Sequence, residues 1–332
     1  DVARLDPRIT VIDQASGSIS VAGINNRFND ISVDGMSQGD PFGLNSNGMP
    51  YTGSPISVDT IQAYDIKVSD FDVSTDTVGA TVNAVTKSGT NEFHGSVYYA
   101  LKDSDWVAKR DGESYELFGK DETLGATVGG PLIKDKLFFF ASYEEQEVSD
   151  FGGATPADGV ASGVISMDEV NEAIRIANAL GMQQNEYGAL DSVLTNKRYL
   201  GKIDWNISDN HRASLTYQQT EEFRPSPYDD RADSVVLTSH WYDIDNVTKN
   251  TSLQLFSDWT MDFSTEVKLS HQTFDQVNGN AVNQPEVEVE TANGGSIFIG
   301  EDNNRHENQI NTERLAATIS GTYYAGDHVI KG

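Results

Sequence analysis

Acidic side chains recur at every second position near residue 70, and this spacing is one that a calcium site can use. The oxygen-bearing residues in this run are Asp70, Asp72, Ser74 and Asp76. An EF-hand loop that begins at Asp70 requires glycine where Thr75 stands and glutamate where Thr81 stands, so the motif fails. We therefore interpret the alternation as one face of a β-strand.

Motifs for catalysis are absent from the sequence. It contains no His-Glu-x-x-His, no Gly-x-Ser-x-Gly and no P-loop, and its six histidines are scattered. Cysteine is absent, which excludes disulfides, thiolate metal sites and cysteine nucleophiles. Carboxylate pairs arise by chance among 51 acidic residues, so they do not indicate a glycosidase. The sequence predicts no enzyme, no cofactor and no metal site.

A glycine-rich stretch at residues 37–55 is the best candidate for ligand binding. Its glycines flank aromatic and methionine side chains that could be exposed, and such a composition suits the binding of a sugar or a peptide. The alternative is a compact Ω-loop packed on a neighbouring wall. Arg27 belongs to a separate turn, for which an ion pair is the alternative. The predicted substrate-binding residues are Arg27, Asp40, Phe42, Asn45, Met49 and Tyr51.

The overall charge narrows the class of partner. With 23 basic and 51 acidic residues the formal charge is −28. A sequence-independent nucleic-acid binder needs basic residues to neutralise phosphates, and polybasic membrane docking needs them too, so both are disfavoured. No apolar run approaches the roughly 18–20 residues of a spanning helix, but a β-barrel crosses a bilayer with strands of about ten alternating residues.

Two textures divide the chain. Residues 1–92 combine turn formers with short β-branched runs and predict a small α+β domain, with one short helix at Ser57–Ala63. From Phe93 onward, period-two alternation predicts strands with one apolar and one polar face. The predicted strands are Phe93–Lys102, Thr123–Gly130, Lys136–Glu147, Arg198–Asn206, Arg212–Gln218, Ser252–Trp259, Ser264–Gln272 and Arg314–Tyr323.

The connections between these strands alternate between long and short. This places all long loops at one end of an antiparallel meander, as in outer-membrane barrels, although a soluble β-sandwich can have the same pattern. The aromatic residues beside the short turns favour an interfacial girdle. Eight strands are complete and a ninth begins near His328. Because a lipid-facing sheet edge is not tolerated, we expect a longer protein with a closed barrel.

Two of the long loops carry predicted structure of their own. Ser166 and Glu169 form a capping box that opens a helix ending at Gly181. Residues 286–299 read as a hairpin around Asn293-Gly294. The helix could close over the barrel mouth or touch ligand, or it could pack on neighbouring loops. The hairpin is expected to stand above the membrane.

The first part of the chain resembles the plug and first barrel strand of TonB-dependent outer-membrane receptors. The resemblance covers roughly residues 18–147, and Gly129–Phe140 is similar to the Oar-like subgroup. Two departures are Ser69–Val73, where the family has an Arg-Gly-Pro run, and the absence of a TonB box. The segments that carry the plug resemblance are Ile19–Gly23, Asn29–Gly35, Val58–Val68 and Gly79–Ser96.

The resemblance implies a mainly β fold, with an N-terminal α+β plug (residues 1–92) inside a transmembrane antiparallel β-barrel of about 22 strands. Residues 93–332 would supply the first eight or nine strands and their extracellular loops. It implies plug-gated, TonB-dependent import across the outer membrane of a Gram-negative bacterium.

The partners implied are TonB, outer-membrane lipid, a surface lipoprotein and an extracellular substrate, which is a peptide, a protein or an oligosaccharide. No nucleic acid is implied. Two alternatives remain open from the residues themselves. One is a non-transporting barrel that acts as an adhesin or a secretion partner, and the other is a secreted β-rich carbohydrate-binding protein.

Overall fold

A computed structural model describes residues 7–13, 18–40, 42, 45–68, 79–109, 118–150, 159–187, 193–226, 231–279, 283–305 and 308–332. The Asp70–Asp76 alternation and the Ser69–Val73 departure lie outside these residues. Among the described residues, no helix has both the length and the apolar character needed to cross a membrane.

Strands dominate the described chain. The strands, in chain order, are β1 (Ile9–Asp13), β2 (Ser18–Val21), β3 (Asp30–Val33), β4 (Met36–Ser37), β5 (Ile61–Lys67), β6 (Thr81–Thr86), β7 (His94–Asp103), β8 (Lys120–Ile133), β9 (Leu137–Val148), β10 (Leu194–Ser208), β11 (His211–Ser226), β12 (Ser234–Val236), β13 (Tyr242–Asp258), β14 (Phe263–Gly279), β15 (Val287–Glu290), β16 (Ser296–Ile299), β17 (Asn308–Ala325) and β18 (His328–Lys331). The helix α1 is Met167–Ala179, and 3-10 turns are Asn26–Phe28, Val58–Thr60, Ser104–Trp106 and Thr238–His240.

Residues up to 92 form an N-terminal unit with two small sheets. One sheet has the order β4-β3-β6-β5, with β3 parallel to β6, and the other is the β1–β2 hairpin. A two-residue turn joins β3 to β4, and both Asp34 (φ 46°) and Gly35 (φ 71°) adopt positive φ. Asp-Gly is a preferred pair for such a turn because both central residues must be left-handed. The turn fixes where the Asp34 carboxylate points.

The prediction of a helix at Ser57–Ala63 is wrong. Ser57 does cap a helical segment, accepting from the Asp59 amide at 3.2 Å, but the segment is only the 3-10 turn Val58–Thr60. Strand β5 begins directly at Ile61, where Ile61 pairs with Thr86. The pairing with β6 satisfies the backbone over seven residues, which a single helical turn cannot match.

Nine strands among the described residues from 94 onward form one sheet, hereafter the wall. Its order is β7-β8-β9-β10-β11-β13-β14-β17-β18, so each strand pairs antiparallel with its neighbour along the chain. All eight predicted strands are present, and His328 opens the ninth as predicted. Several strands extend further toward the long loops than predicted, because the alternation there loses its apolar side while the hydrogen-bond ladder continues.

The two faces of the wall differ as the alternation predicts. On one face apolar side chains are exposed, with Leu315 79% and Ile319 74% accessible. On the other face the polar side chains of Thr216, Gln218 and Asn250 are buried. Apolar residues outside and polar residues inside are the arrangement of a membrane barrel rather than of a sheet packed on a dry core.

Three long connections assemble into a second small body, hereafter the cap. It contains α1, the strand β12 and the hairpin β15–β16, and β12 pairs parallel with β16. Its core consists of Ile165, Val170, Ala173, Ala177, Val235, Leu237, Ile297 and Ile299. The predicted helix and the predicted hairpin are both present, and they pack together with a strand from a third connection. The capping box of α1 forms as predicted, with both Ser166 and Glu169 in place.

Candidate functional site

The inner face of the wall encloses the N-terminal unit, and the interface between them is the candidate site. Seven successive strands, β7 to β14 without β12, each hydrogen-bond to the unit. Only a sheet that bends around its partner can bring seven neighbouring strands to one small body. A buried apolar cluster, containing Val33 and Ile56 of the unit and Phe140 and Leu200 of the wall, lies within the interface.

Asp34 is a meeting point of three wall strands. The Lys202 ammonium on β10 lies 3.5 Å from its carboxylate, and both side chains are about nine-tenths buried. Gln254 and Lys268 donate to the Asp34 backbone carbonyl at 2.8 and 3.2 Å. Within the unit, Thr86 donates to the carboxylate from its amide (2.9 Å) and its hydroxyl (2.6 Å). The charge of Asp34 is therefore compensated inside the interface, as a buried carboxylate requires.

Arg198 organises a second buried cluster. It lies directly opposite Glu144 in the β9–β10 register and forms a buried ion pair with it. Its Nε atom donates to the Ser54 carbonyl of the N-terminal unit at 2.6 Å. Gly53 permits this approach, since a Cβ there would lie 2.5 Å from Nη2 of Arg198. The wall thus holds residues 53–54 through one guanidinium.

Asp59 attaches the same unit to the first two strands of the wall. Its carboxylate accepts from the hydroxyl of Ser96 on β7 and from that of Thr127 on β8, the latter at 3.4 Å. Lys87 lies 3.2 Å away within the unit. Partial burial acts to raise the pKa of Asp59, but the hydrogen bonds from Ser96 and Lys87 outweigh it and lower that pKa below its ordinary value.

The described residues between 38 and 51 (38–40, 42 and 45–51) belong to one closed loop, hereafter the apex loop. Its ends meet where the Tyr51 hydroxyl donates to Gln38 Oε1 at 3.0 Å. Gln218 and Asn250 of the wall donate to the same oxygen at 3.1 and 3.2 Å. Just beyond the loop, the amide and hydroxyl of Thr52 donate to Glu222 at 2.7 and 2.6 Å. Glu222 lies toward the end of β11 that carries a long connection, whereas Gln218 and Asn250 lie near the middle of their strands.

Five of the six predicted binding residues lie in the apex loop. Among them, the Asp40 carboxylate accepts from the Phe42 amide at 2.8 Å, and the Asn45 side chain donates to the Met49 carbonyl at 3.0 Å. Phe42 is 56% exposed, whereas Tyr51 is 1% exposed and supports the loop from beneath. Arg27 lies in a separate turn that touches the loop through a bond from Asn26 to the Ser46 carbonyl.

Comparison with known proteins places this arrangement in a recognised class. Residues 85–161 match the family described as an outer membrane beta barrel domain. Over 219 residues, which are 61% of this chain and 19% of the relative, the sequence is 31% identical to the TonB-dependent transporter Oar of Myxococcus xanthus. Over the matched residues the chain is similar to an Oar-type TonB-dependent transporter. It spans about a fifth of the length of that curated relative.

Solved structures show the same fold. The outer membrane transporter YddB from Escherichia coli superposes with a TM-score of 0.64 at 12% identity, over 96% of this chain and 41% of that one. The ferric enterobactin receptor PfeA from Pseudomonas aeruginosa gives 0.58 at 14% identity, over 97% and 43%. The siderophore receptor PirA from Acinetobacter baumannii gives 0.56 at 15%, over 92% and 39%. In fold, the N-terminal unit corresponds to the plug of these structures and the wall to part of their barrel.

An outer-membrane location in a Gram-negative bacterium follows from this kinship and suits the outward face of the barrel. The aromatic side chains that the sequence placed beside short turns are all exposed there: Phe93, Trp205, Trp259, Phe263, Tyr323 and Tyr324. Their position next to the turns is that of an interfacial aromatic girdle. The cap lies at the opposite ends of the strands, where the connections are long.

The sequence did not predict which barrel residues bind the plug. Lys202 lies on the inward face of its strand, but no local sequence pattern distinguishes an inward residue that binds the plug from one that contacts water. Gln218 and Glu222 present the same difficulty. The usable signal was the alternation itself, which identifies every inward position once the inward face is known to meet a plug.

Proposed function

We propose that this chain forms the plug and part of the barrel of a TonB-dependent importer, which admits an extracellular substrate when the plug is displaced. One observation carries the proposal: the plug is held mainly by polar contacts distributed over seven strands. An individual hydrogen bond of this kind contributes about 1 kcal/mol, and water can replace it when it breaks. A plug attached in this way can be released in steps by a pull from the periplasm, with TonB as the source of that pull.

Several buried oxygens on the barrel side of the interface support a hydrated boundary. One side-chain oxygen of each of Gln218, Glu222, Asn246 and Thr248 is buried and has no hydrogen-bond partner among the residues that the structure describes. Buried polar atoms of native proteins are paired by the protein or by ordered water, so these positions favour water between plug and wall. A hydrated interface eases displacement, because the polar groups that separate already have alternative partners.

The apex loop is the proposed point of substrate contact. Asp40, Phe42, Asn45 and Met49 are gathered in one loop, and Phe42 offers an exposed ring that could contact a sugar or a peptide. Arg27 adds a cation beside them. The net charge of −28 favours a cationic or metal-bridged substrate, whether peptide, protein or oligosaccharide. A surface lipoprotein is a further proposed partner at the cap.

Uptake measurements with a controllable plug test this function. Because the chain has no cysteine, Thr52→Cys and Glu222→Cys can be joined by a cleavable thiol cross-linker. The matched control joins Tyr143→Cys to Tyr199→Cys, two positions paired within the barrel itself. Labelled cationic peptide, ferric siderophore and neutral oligosaccharide would be supplied in turn to cells with and without TonB.

We expect one probe to accumulate only with TonB, to stop when plug and barrel are cross-linked and to resume on cleavage, while the control cross-link has no effect. Binding at the cell surface without TonB-dependent uptake of any probe would instead favour the adhesin or secretion role and contradict import.

A further inference from the structure

A histidine and two carboxylates lie close together at the base of the cap hairpin. His240 and Asp302 are each 1% exposed. Together with Glu286 they offer ligand atoms that all lie within 4.8 Å of one another. Nitrogen from a histidine and oxygen from two carboxylates make a set of donors that protein-bound zinc commonly uses.

Strand register brings the three residues together from two different connections. In β12 and β16, Val236 pairs with Phe298, so the 3-10 turn that follows β12 places His240 beside residue 300. In the hairpin, Val287 pairs with Ile299, which sets Glu286 near Asp302. The Asn303 amide donates to Glu286 Oε2 at 2.9 Å and holds that carboxylate in position. The cluster is therefore specified by backbone pairing.

The histidine is oriented in the way metal ligands usually are. Its Nδ1 atom lies 3.0 Å from the Gly300 carbonyl oxygen. A carbonyl only accepts, so this contact requires the proton on Nδ1 and leaves Nε2 as the ring atom that a metal would bind. Metal-bound histidines commonly donate their second ring nitrogen to a backbone carbonyl, which fixes the ring and raises its basicity.

The strongest sign of a cation is the carboxylate of Asp302. Its Oδ1 atom accepts from the Asn304 amide at 2.6 Å. Its Oδ2 atom is buried and has no hydrogen-bond partner within the described part of the chain. Burying an ionised oxygen without a partner is costly, whereas a cation at this point would compensate it.

We propose that His240, Glu286 and Asp302 bind a divalent cation of the zinc class and that this ion fastens the Thr238–His240 turn to the base of the hairpin. A mixed nitrogen and oxygen set suits Zn²⁺ better than Ca²⁺, which takes oxygen ligands. Three protein ligands leave a fourth position for water. The ion would link two of the three connections that build the cap.

Zinc binding to the whole protein, purified from the outer membrane in detergent and stripped with chelator, tests the site. Calorimetry with ZnCl₂ alone, and with CaCl₂ alone, would compare wild type with His240→Gln, Asp302→Asn and Glu286→Gln. The matched control is Glu290→Gln, an exposed carboxylate on the same hairpin. Zinc-edge absorption of the wild type reports whether an imidazole nitrogen is bound, which guards against a variant that fails only by misfolding.

We expect one zinc per chain with an imidazole signature, a loss of affinity of about a hundredfold in His240→Gln and Asp302→Asn, a smaller loss in Glu286→Gln and no loss in Glu290→Gln. Absence of tight zinc binding by the wild type overturns the proposal. Calcium binding that His240→Gln does not weaken, or zinc bound without imidazole, overturns it equally.

Discussion

Lys202 of the barrel and Asp34 of the plug face each other at 3.5 Å, with both side chains about nine-tenths buried. The plug side of this pair is placed by the Asp34-Gly35 turn, and the barrel side by the inward alternation of β10. An ion pair that joins two separable bodies must be broken whenever they separate. It is therefore a point where substitution should alter how firmly the plug is held.

Lys202→Met should loosen the plug by about 3 kcal/mol, because removing one partner of a buried pair leaves the other charge uncompensated. Hydrogen exchange of the β3 and β6 amides in the intact protein measures the change. The control is Lys197→Met, whose pair with Glu145 is screened by solvent, so that its loss should have little effect. Equal effects of the two substitutions would contradict a special role for Lys202, as would a failure of Asp34→Asn to offset Lys202→Met.

Acid should weaken the attachment of the plug through Asp59. The pKa of this carboxyl is lowered in the folded protein, so its contribution is complete above the ordinary pKa of an aspartate and is lost as the pH falls through the folded value. The Asp59→Asn variant should lose less plug stability than wild type between about pH 5 and pH 3. Urea midpoints of plug unfolding at several pH values check this, since other carboxyls titrate alike in both proteins. Parallel curves for the two proteins would rule the mechanism out.

Two aromatic residues of the apex loop should behave differently. Phe42→Ala removes an exposed ring and should reduce substrate uptake several-fold without changing plug stability. Tyr51→Phe removes a buried hydroxyl bonded to Gln38 and should cost about 1 kcal/mol of plug stability. Uptake and hydrogen exchange on both variants separate the two roles. Normal uptake by Phe42→Ala would remove the apex loop from the proposed substrate contact.

The capping box of α1 should stabilise the cap. Ser166→Ala removes the side chain that accepts from the Glu169 amide at 3.3 Å and should cost about 1 kcal/mol. The matched control is Glu172→Gln, because the pair of Glu172 with Arg175 is exposed to solvent and should contribute little. Protection of α1 amides against exchange would be compared in both variants. A larger effect of Glu172→Gln would show that the cap does not depend on this helix start.

Much of the barrel could be predicted from sequence because alternation is a local signal. Leu315 and Ile319 mark the outward face whatever their neighbours are. The predicted helix at Ser57–Ala63 is wrong because a capping serine indicates where a helical turn begins but not how many residues it includes. The strand pairing with Thr86, remote in sequence, decided the matter.

The cap and the plug contacts were less accessible for the same physical reason. Val235 pairs with Ile297 across more than sixty residues, and no local pattern indicates such a parallel contact. Whether Asp40, Phe42, Asn45 and Met49 bind a substrate is still a prediction, since their gathering in one loop is also what an Ω-loop requires.

The shared core of the cap has a consequence for how the surface of this protein can vary. A surface loop that packs on no other loop can change in sequence without disturbing the rest of the fold. Here, altering Val170, Leu237 or Ile297 disturbs partners supplied by two other stretches of the chain. Variation should therefore be confined to the outermost positions of each stretch, or else occur in all three together.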